Sequence, residues 1–305
     1  MRRSLPRVIA NTSAQAGSRL EARAQAFARQ TRISPSEGVY RCALCELRMA
    51  SPLIYVCTAP RLARLAGRFA GRMHILFVTA TLAVTESLPT RWQPMFTVGV
   101  SDGRGGESAF RVSGLTELEV LGEVFPRHLW DVAVAPAPRT IIDAGSHIGA
   151  TVQAFAMRYP QARVIGLEPH PDVYRRAGDN TRALTHAEVL NVALDGQDGV
   201  LTLNIRRDSW ATSVFGAEAS RGSVEVQAVS LQHLIDNLKI DHVDLLKLNI
   251  GGSEYAVLSS FRAWERIGTI LLEWHYNLHG QPIDELTRLL PRHSYTAVAS
   301  GAPGC

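Results

Sequence analysis

The sequence predicts an α/β fold, a doubly wound sheet with helices on both of its faces, for the chain from residue 139 onward. Short apolar runs alternate there with helix-like runs, which is the pattern of α/β sheets. A glycine-containing turn joins the first apolar run directly to a helix-like segment. An acidic residue ends the next apolar run. These observations also point to a ligand site at one end of the predicted sheet.

Length and composition indicate a globular chain that can bury a sizeable core. The chain has 305 residues, of which 46% are hydrophobic, and no apolar run reaches the roughly 18 residues of a membrane-spanning helix. We therefore expect no membrane span. The start of the chain lacks the pattern of a secretory signal, and the four cysteines do not form a disulfide framework. We expect a cytoplasmic location.

The chain before the main domain divides into two parts. Residues 1–37 are basic, polar and rich in small residues, so we expect a disordered N-terminus. Residues 38–135 predict a lead-in made of a helix and short strands. Arginines at helical spacing in residues 61–72 predict an amphipathic basic helix, and alternating apolar and polar runs in residues 73–115 predict strands around the turn SDGRGG.

The lead-in ends with a helix and a stiff boundary. Leu118, Leu121 and Phe125 lie at helical spacing, which predicts that they share one side of a helix. The stretch APAP then marks the start of the main domain, residues 139–305.

Strands and helices alternate through the main domain. Pro160 stops the first helix, and Pro171 opens the second. The predicted strands are RTIIDA, ARVIGLE, AEVLNVAL, VDLLKLNI and TILLEWH, with a meander of VLTLNI and SVEVQAVSL after the third. The predicted helices are ATVQAFAMRY, PDVYRRAGDNTRAL, LQHLIDNL and SEYAVLSSF.

The turn DAGSHIG between the first strand and helix predicts a nucleoside site. Peptide N–H groups and the positive dipole end of the helix favour electron-rich ligand groups. Gly145 permits the turn, and Gly149 permits a close approach of helix and ligand. Glu168 ends the next strand, where a carboxylate can accept hydrogen bonds from both ribose hydroxyls. A strand-to-helix turn with an incidental acid is the alternative interpretation.

The glycine spacing decides between kinds of nucleoside. The turn lacks the G-x-G-x-x-G spacing of dinucleotide sites, and no lysine follows it as in a Walker loop. An NAD-linked oxidoreductase is therefore disfavoured. A nucleoside without phosphates remains, with Asp143 placed to meet a polar or cationic group. S-adenosyl-L-methionine fits this description through its ammonium, its sulfonium and its ribose.

Several ordered motifs resemble the FkbM-type methyltransferases. They include TELEVLGEVF, IIDAGSHIG, ARVIGLEPHP, DLLKLNIGGSEYAVL and ILLEWH, and the resemblance runs from Leu115 to the C-terminus. It implies a class I methyltransferase fold, which is a Rossmann-like sheet of seven strands, and O-methylation with S-adenosyl-L-methionine. The cofactor-binding residues expected from the turn and the resemblance are Asp143, Gly145, Ser146, His147, Gly149 and Glu168.

The resemblance also includes a motif, K-x-D-x-E-G-x-E, that this chain keeps in part. Lys247, Gly252 and Glu254 match it. Asn249 stands where the motif has its aspartate, and Gly251 stands where it has its first glutamate. Asparagine donates and accepts hydrogen bonds, but it cannot act as a base near neutral pH.

The candidate catalytic residues lie at or beyond the ends of the last two predicted strands. They are Lys247, Asn249, Glu254 and His275, and Glu273 lies at the same edge. Methyl transfer needs an acceptor aligned with the S–CH₃ bond, and an alcohol acceptor benefits from a base. Each candidate has a structural alternative: Glu254 as a helix N-terminal acid, His275 as a core histidine, and Lys247 as a buried, paired lysine.

Two functions follow from these residues. The first is a methyltransferase that acts on a hydroxyl of a small metabolite or sugar, and the second is a catalytically weakened homologue with a binding or regulatory role. Activity that appears only when Asp and Glu are restored at positions 249 and 251 would favour the second. We expect no nucleic-acid partner, because no basic stripe alternates with aromatic residues. We also expect no metal, because Cys42 and Cys45 lack further ligands at a recognisable spacing.

Overall fold

The computed structural model describes ten stretches of the chain and positions the whole predicted nucleoside turn. The described residues are 7–11, 62–63, 66–67, 69–87, 94–104, 106–126, 128–205, 222–273, 288–290 and 295–298. Arg61, Arg64 and Arg68, three of the four arginines of the predicted basic helix, lie outside them, as do Cys42, Cys45 and His275.

Strands and helices alternate along the described chain. The strands are β1 (Arg7–Asn11), β2 (Phe96–Ser101), β3 (Glu107–Val112), β4 (Thr140–Ala144), β5 (Arg163–Leu167), β6 (Ala187–Leu190), β7 (Ala193–Asp195), β8 (Gly199–Ile205), β9 (Gly222–Ser230), β10 (Val243–Leu248), β11 (Ile267–Glu273) and β12 (Tyr295–Val298). The helices are α1 (Phe69–Ser87), α2 (Leu115–Val124), α3 (Ala150–Arg158), α4 (Pro171–Thr181), α5 (Leu231–Asn237) and α6 (Glu254–Ser260).

Five parallel strands in the order β6-β5-β4-β10-β11 form the sheet that carries the site. The short strands β1 and β12 extend this sheet beyond β11, also in parallel. Strand β1 lies within the segment 1–37 that was predicted to lack fixed structure. The side chains of β1 and β12 are outside the described residues. The class I arrangement of seven strands, which the resemblance implies, stays a prediction.

Side chains of the inner strands pack into two hydrophobic cores, one on each face of the sheet. Ile141 and Leu245 pack with α2 and α3, whereas Ile142 and Leu246 pack with α5 and α6. Successive side chains of a strand point to opposite faces, so a strand covered on both faces is apolar throughout. The prediction of an α/β sheet with helices on both faces is therefore confirmed.

Helix α1 contradicts the prediction of strands in residues 73–115 for the part that it covers, residues 73–87. Ile75, Val78 and Leu82 are fully buried at helical spacing, and the helix packs on β2 and α2. Met73 and Phe77, on other sides of the same helix, are exposed. Apolar residues on every side hide the helical period in the sequence. The prediction of strands is right for the antiparallel pair β2 and β3.

The third predicted strand, AEVLNVAL, is two strands in the structure. Strand β6 belongs to the main sheet, and β7 belongs to a separate sheet in the order β7-β9-β8. Asn191 lies between them, and its side-chain amide donates to the carbonyl oxygens of Glu168 at 2.9 Å and Pro169 at 2.8 Å. The predicted meander is confirmed as the antiparallel pair β8 and β9.

Asn180 on α4 ties the lead-in to the main domain. Its Oδ1 accepts from the peptide N–H of Arg111 at 2.8 Å, and its Nδ2 donates to the carbonyl of Ile148 at 2.9 Å. The side chain is buried. Hairpin β2–β3 is therefore hydrogen-bonded to the turn after β4 through a single amide.

We expect Asn180→Ala to lower the free energy of unfolding by about 2–4 kcal/mol, because it leaves a buried donor and a buried acceptor unsatisfied. Urea denaturation measures this loss. The control is Asp179→Ala, which removes a neighbouring exposed ion pair with Arg111 and should cost less than about 1 kcal/mol. Equal small losses in the two variants would contradict the role of Asn180.

Candidate active site

The turn after β4 has a left-handed backbone at three positions. The φ angles are +78° at Gly145, +51° at His147 and +83° at Gly149. A Cβ on Gly145 would lie 1.8 Å from the carbonyl oxygen of Asn249, so the end of β10 leaves no room for a side chain. The peptide N–H of Gly145 donates to the carbonyl of Leu167 at 3.0 Å. The turn is thus fixed against the ends of β5 and β10.

Glu168 follows β5, and two peptide groups hold its carboxylate beside this turn. Oε2 accepts from the N–H of His147 at 3.0 Å, and Oε1 accepts from the N–H of His170 at 2.9 Å. Burial raises the pKa of Glu168 to about 7, while these hydrogen bonds and the charge of Lys247 act in the opposite direction. Each carboxylate oxygen can accept more than one hydrogen bond, so the group can still accept hydrogen bonds from hydroxyl groups of a ligand.

His147 and Ser146 form the middle of the turn. Burial, followed by the charges of Lys247 and His170, lowers the pKa of His147 to about 4. The imidazole is therefore neutral at physiological pH. Ser146 is 1% exposed, and its hydroxyl has no hydrogen-bond partner among the described residues. It packs against Gly166 in β5.

Lys247 and Asp143 form a buried ion pair beneath the turn. The distance from Nζ to Oδ1 is 2.9 Å, and the two side chains are 2% and 0% exposed. Nζ also donates to the carbonyl of Gly145 at 2.8 Å and lies 5.0 Å from the ring centre of Trp130. Asp143 Oδ2 accepts from the hydroxyl of Thr151. The cation that Asp143 meets is therefore Lys247, where the sequence analysis expected a ligand group.

Glu254 lies under the loop that connects β10 to α6. Its side chain is fully buried. Oε1 accepts from the N–H of Ile250 at 2.9 Å, and Oε2 accepts from the N–H of Gly252 at 3.0 Å. Gly251 and Gly252 have φ angles of +60° and +117°. The carboxylate thus holds a sharp loop in place before α6, a structural role that differs from the helix N-terminal one named as the alternative to catalysis.

Asn249 and Glu273 meet at the carboxyl ends of β10 and β11. Asn249 Nδ2 donates to Glu273 Oε2 at 2.7 Å, in a part-buried contact. The peptide N–H of Asn249 donates to the carbonyl of Ala144 at 3.1 Å, which places this residue directly beside the turn after β4. The sequence placed both residues at this edge, but only the structure shows that they are hydrogen-bonded.

The sequence model of the methyltransferase FkbM domain matches residues 143–296, just over half of the chain. The matched region begins at the buried Asp143 and contains Lys247, its partner in the ion pair. The chain belongs to the FkbM methyltransferase family.

Known proteins similar to this FkbM chain include two curated fungal methyltransferases. Methyltransferase sdnD of Sordaria araneosa is 26% identical over 202 residues, which cover 54% of this chain and 78% of that protein. Methyltransferase 1 of Beauveria bassiana (strain ARSEF 2860) is 25% identical over 176 residues, which cover 50% and 70%. The SAM-dependent methyltransferase from Agrobacterium tumefaciens, a crystal structure, aligns with a TM-score of 0.37 at 9% identity, over 70% of this chain and 63% of that one.

The FkbM domain brings most of the predicted site residues to one edge of its sheet. Trp130 and Thr151 belong to the same edge and were not predicted. Thr151 lies two residues beyond the glycine turn, but no spacing signal singles out Trp130, because it reaches Lys247 only through the tertiary fold. The residues that the structure brings together are Asp143, Gly145, Ser146, His147, Gly149, Glu168, Lys247, Asn249 and Glu254.

The described ranges of this FkbM chain contain neither a metal-binding cluster nor a membrane-spanning helix. Within those ranges, no group of three or more His, Cys, Asp or Glu residues is arranged to hold a metal ion. No described helix combines the length and the hydrophobicity needed to cross a bilayer.

Lys247→Met should destabilise the protein by about 3–5 kcal/mol, because it leaves the carboxylate of Asp143 buried without its countercharge. Urea denaturation of this variant, of Asp143→Asn and of the double variant forms a thermodynamic cycle. We expect the double variant to lose much less than the sum of the single losses. Additive losses would show that the two residues do not depend on each other.

Proposed function

We propose that this FkbM protein is an S-adenosyl-L-methionine-dependent methyltransferase that methylates a hydroxyl group of a small metabolite or sugar. The observation that carries the proposal is the carboxylate of Glu168, held beside a left-handed glycine turn at the end of the neighbouring strand. This pairing of an acid and a turn suits a nucleoside without phosphates. Family membership and the two methyltransferase relatives support methyl transfer.

The residues at this edge fit S-adenosyl-L-methionine in charge as well as in shape. Glu168 would accept the ribose hydroxyls, and the peptide groups of the turn would face the methionine part. His147 is neutral, and the ammonium of Lys247 is buried against Asp143. Neither side chain therefore brings an exposed positive charge toward a cationic sulfonium.

Gly149 also has a packing role beside this turn. A Cβ there would lie 2.8 Å from the methyl group of Thr181 and 3.4 Å from the carbonyl of Ala177. The glycine is thus required for the packing of α3 against α4. In this way it supports the turn.

When bound, S-adenosyl-L-methionine supplies an electrophilic methyl group on a positively charged sulfur. The protein then has to hold an acceptor oxygen in line with the bond that breaks, because alignment provides much of the rate enhancement. Asn249 at the end of β10 lies beside the turn, and Glu273 at the end of β11 is hydrogen-bonded to it. These two residues are the ones that would orient an acceptor.

A cofactor-binding homologue with weakened catalysis is the second candidate function. Asn249 and Gly251 favour it, because neither residue supplies the carboxylate that the family motif has at its position. Methyl transfer by Asn249→Asp with Gly251→Glu, in the absence of transfer by the native chain, would support this candidate. Measurable transfer by the native chain would exclude it.

Calorimetric titration with S-adenosylmethionine and S-adenosylhomocysteine tests the cofactor. We expect micromolar binding that strengthens about tenfold from pH 6 to pH 8, because an ionised carboxylate accepts both ribose hydroxyls and burial raises the pKa of Glu168 to about 7. The affinity should fall as the pH falls through that value, since binding then requires the release of a proton.

Glu168→Gln should weaken this binding at least tenfold and remove its pH dependence, because hydrogen bonds to a charged group are lost. Glu188→Gln is the matched control, since Glu188 is an exposed acid on the neighbouring strand, paired with Arg163. No binding by the folded native protein, or equal binding by Glu168→Gln, would sink the proposal.

A further inference from the structure

Asn249 and Glu273 differ from the other polar side chains at the site edge. Asp143, Lys247 and Glu254 are buried and engaged by internal partners. Asn249 and Glu273 are only partly buried. Within the described ranges, the hydrogen bond between them at 2.7 Å is the contact that fixes both side chains.

The direction of this hydrogen bond determines what the pair can bind. The amide donates through Nδ2 to the carboxylate, so its own Oδ1 stays available as an acceptor. The carboxylate of Glu273 keeps further lone pairs on both oxygens. The pair therefore presents acceptor atoms to a ligand, which favours a hydrogen-bond donor such as a hydroxyl and disfavours a carboxylate or a phosphate.

The pair also lies on the correct side of the glycine turn. Asn249 contacts β4 through its peptide N–H, 3.1 Å from the carbonyl of Ala144. Glu168 comes directly after β5, which lies on one side of β4 in the sheet. Strands β10 and β11 lie on the other side of β4. Neighbouring strands are about 4.8 Å apart. A nucleoside whose ribose contacts Glu168 and which extends across β4 would reach the Asn249 side of the sheet.

We propose that Glu273 is the catalytic base that receives the acceptor hydroxyl and that Asn249 is the positioning residue that orients it. The inference rests on the proposed function and assigns its substrate class: a neutral hydroxyl compound. The acceptor oxygen forms its bond to the methyl carbon while the sulfur–methyl bond breaks and its electrons stay on sulfur. The hydroxyl proton passes to the carboxylate of Glu273 and then to water.

This assignment places the carboxylate one strand away from its position in the family motif. Asn249 occupies the aspartate position at the end of β10, and Glu273 supplies a carboxylate at the end of β11, within hydrogen-bond distance of it. The chain thus keeps a carboxyl group at the acceptor side without placing two carboxylates against each other. Two such groups would repel, and one of them would hold a proton.

Sinefungin tests the position of this carboxylate without knowledge of the acceptor. This analogue carries an ammonium-bearing carbon where S-adenosylmethionine has its methylsulfonium, whereas S-adenosylhomocysteine is neutral there. A carboxylate at the acceptor side attracts the ammonium. We expect the native chain to bind sinefungin about tenfold more tightly than S-adenosylhomocysteine in calorimetric titrations at low salt.

Variants identify the residue responsible for this preference, which is the ratio of the two dissociation constants within each protein. Glu273→Gln should abolish the preference, Glu273→Asp should retain part of it because the charge remains, and Asn249→Ala should reduce it severalfold. Glu265→Gln is the matched control. It removes an exposed acid that lies just before the first residue of β11, at the end of the strand opposite to Glu273, and it should keep the full preference.

The outcomes separate this inference from the function on which it rests. A native protein that binds S-adenosylhomocysteine but shows no preference for sinefungin overturns the inference and leaves the proposed function intact. A preference that survives in Glu273→Gln has the same meaning. A folded native protein that binds neither compound overturns both.

Discussion

The site edge of this protein depends on the buried ion pair between Lys247 and Asp143. The two residues face each other in the register of the adjacent parallel strands β10 and β4. A single charge at such a depth would cost several kcal/mol, so neither residue is tolerated without the other. Because the ammonium also binds the carbonyl of Gly145 and lies near Trp130, the pair links the core, the lead-in and the glycine turn.

Burial and this ammonium together set the charges around the turn. Burial has the larger effect, and the charge of Lys247 further lowers the pKa of His147 and opposes the rise in the pKa of Glu168. Near neutral pH the turn therefore combines a neutral imidazole with an acid close to its titration point. A cationic nucleoside is compatible with these charges, whereas a pyrophosphate would meet Glu168 without an exposed lysine to bind it.

The acceptor side of the edge has a different character from the cofactor side. Glu254 and the left-handed glycines at 251 and 252 are occupied in shaping the loop after β10. Asn249 and Glu273 are instead hydrogen-bonded to each other in a part-buried contact, and the proposed acceptor role of the pair rests on this contact. The carboxylates of this edge thus divide into buried groups with internal partners and the partly buried Glu273.

The sequence by itself determined the order of the main-domain elements, the glycine turn and the acid after β5. Apolar periodicity, proline positions and glycine spacing are local signals, and each element needs only its own residues to display them. These signals did not predict helix α1, because apolar residues lie on every side of it. They also did not predict the break between β6 and β7 at Asn191.

Only the tertiary structure decided the partners of the site residues. Lys247 meets Gly145 across 102 positions of the chain, and Asn249 meets Glu273 across 24. Spacing in the sequence does not predict such pairs, because packing on both faces of the sheet sets the register of parallel strands that are joined by crossover helices. The ionisable residues could therefore be identified from the sequence. Only the fold determines which of them form buried ion pairs or internal hydrogen bonds and which remain available to a ligand.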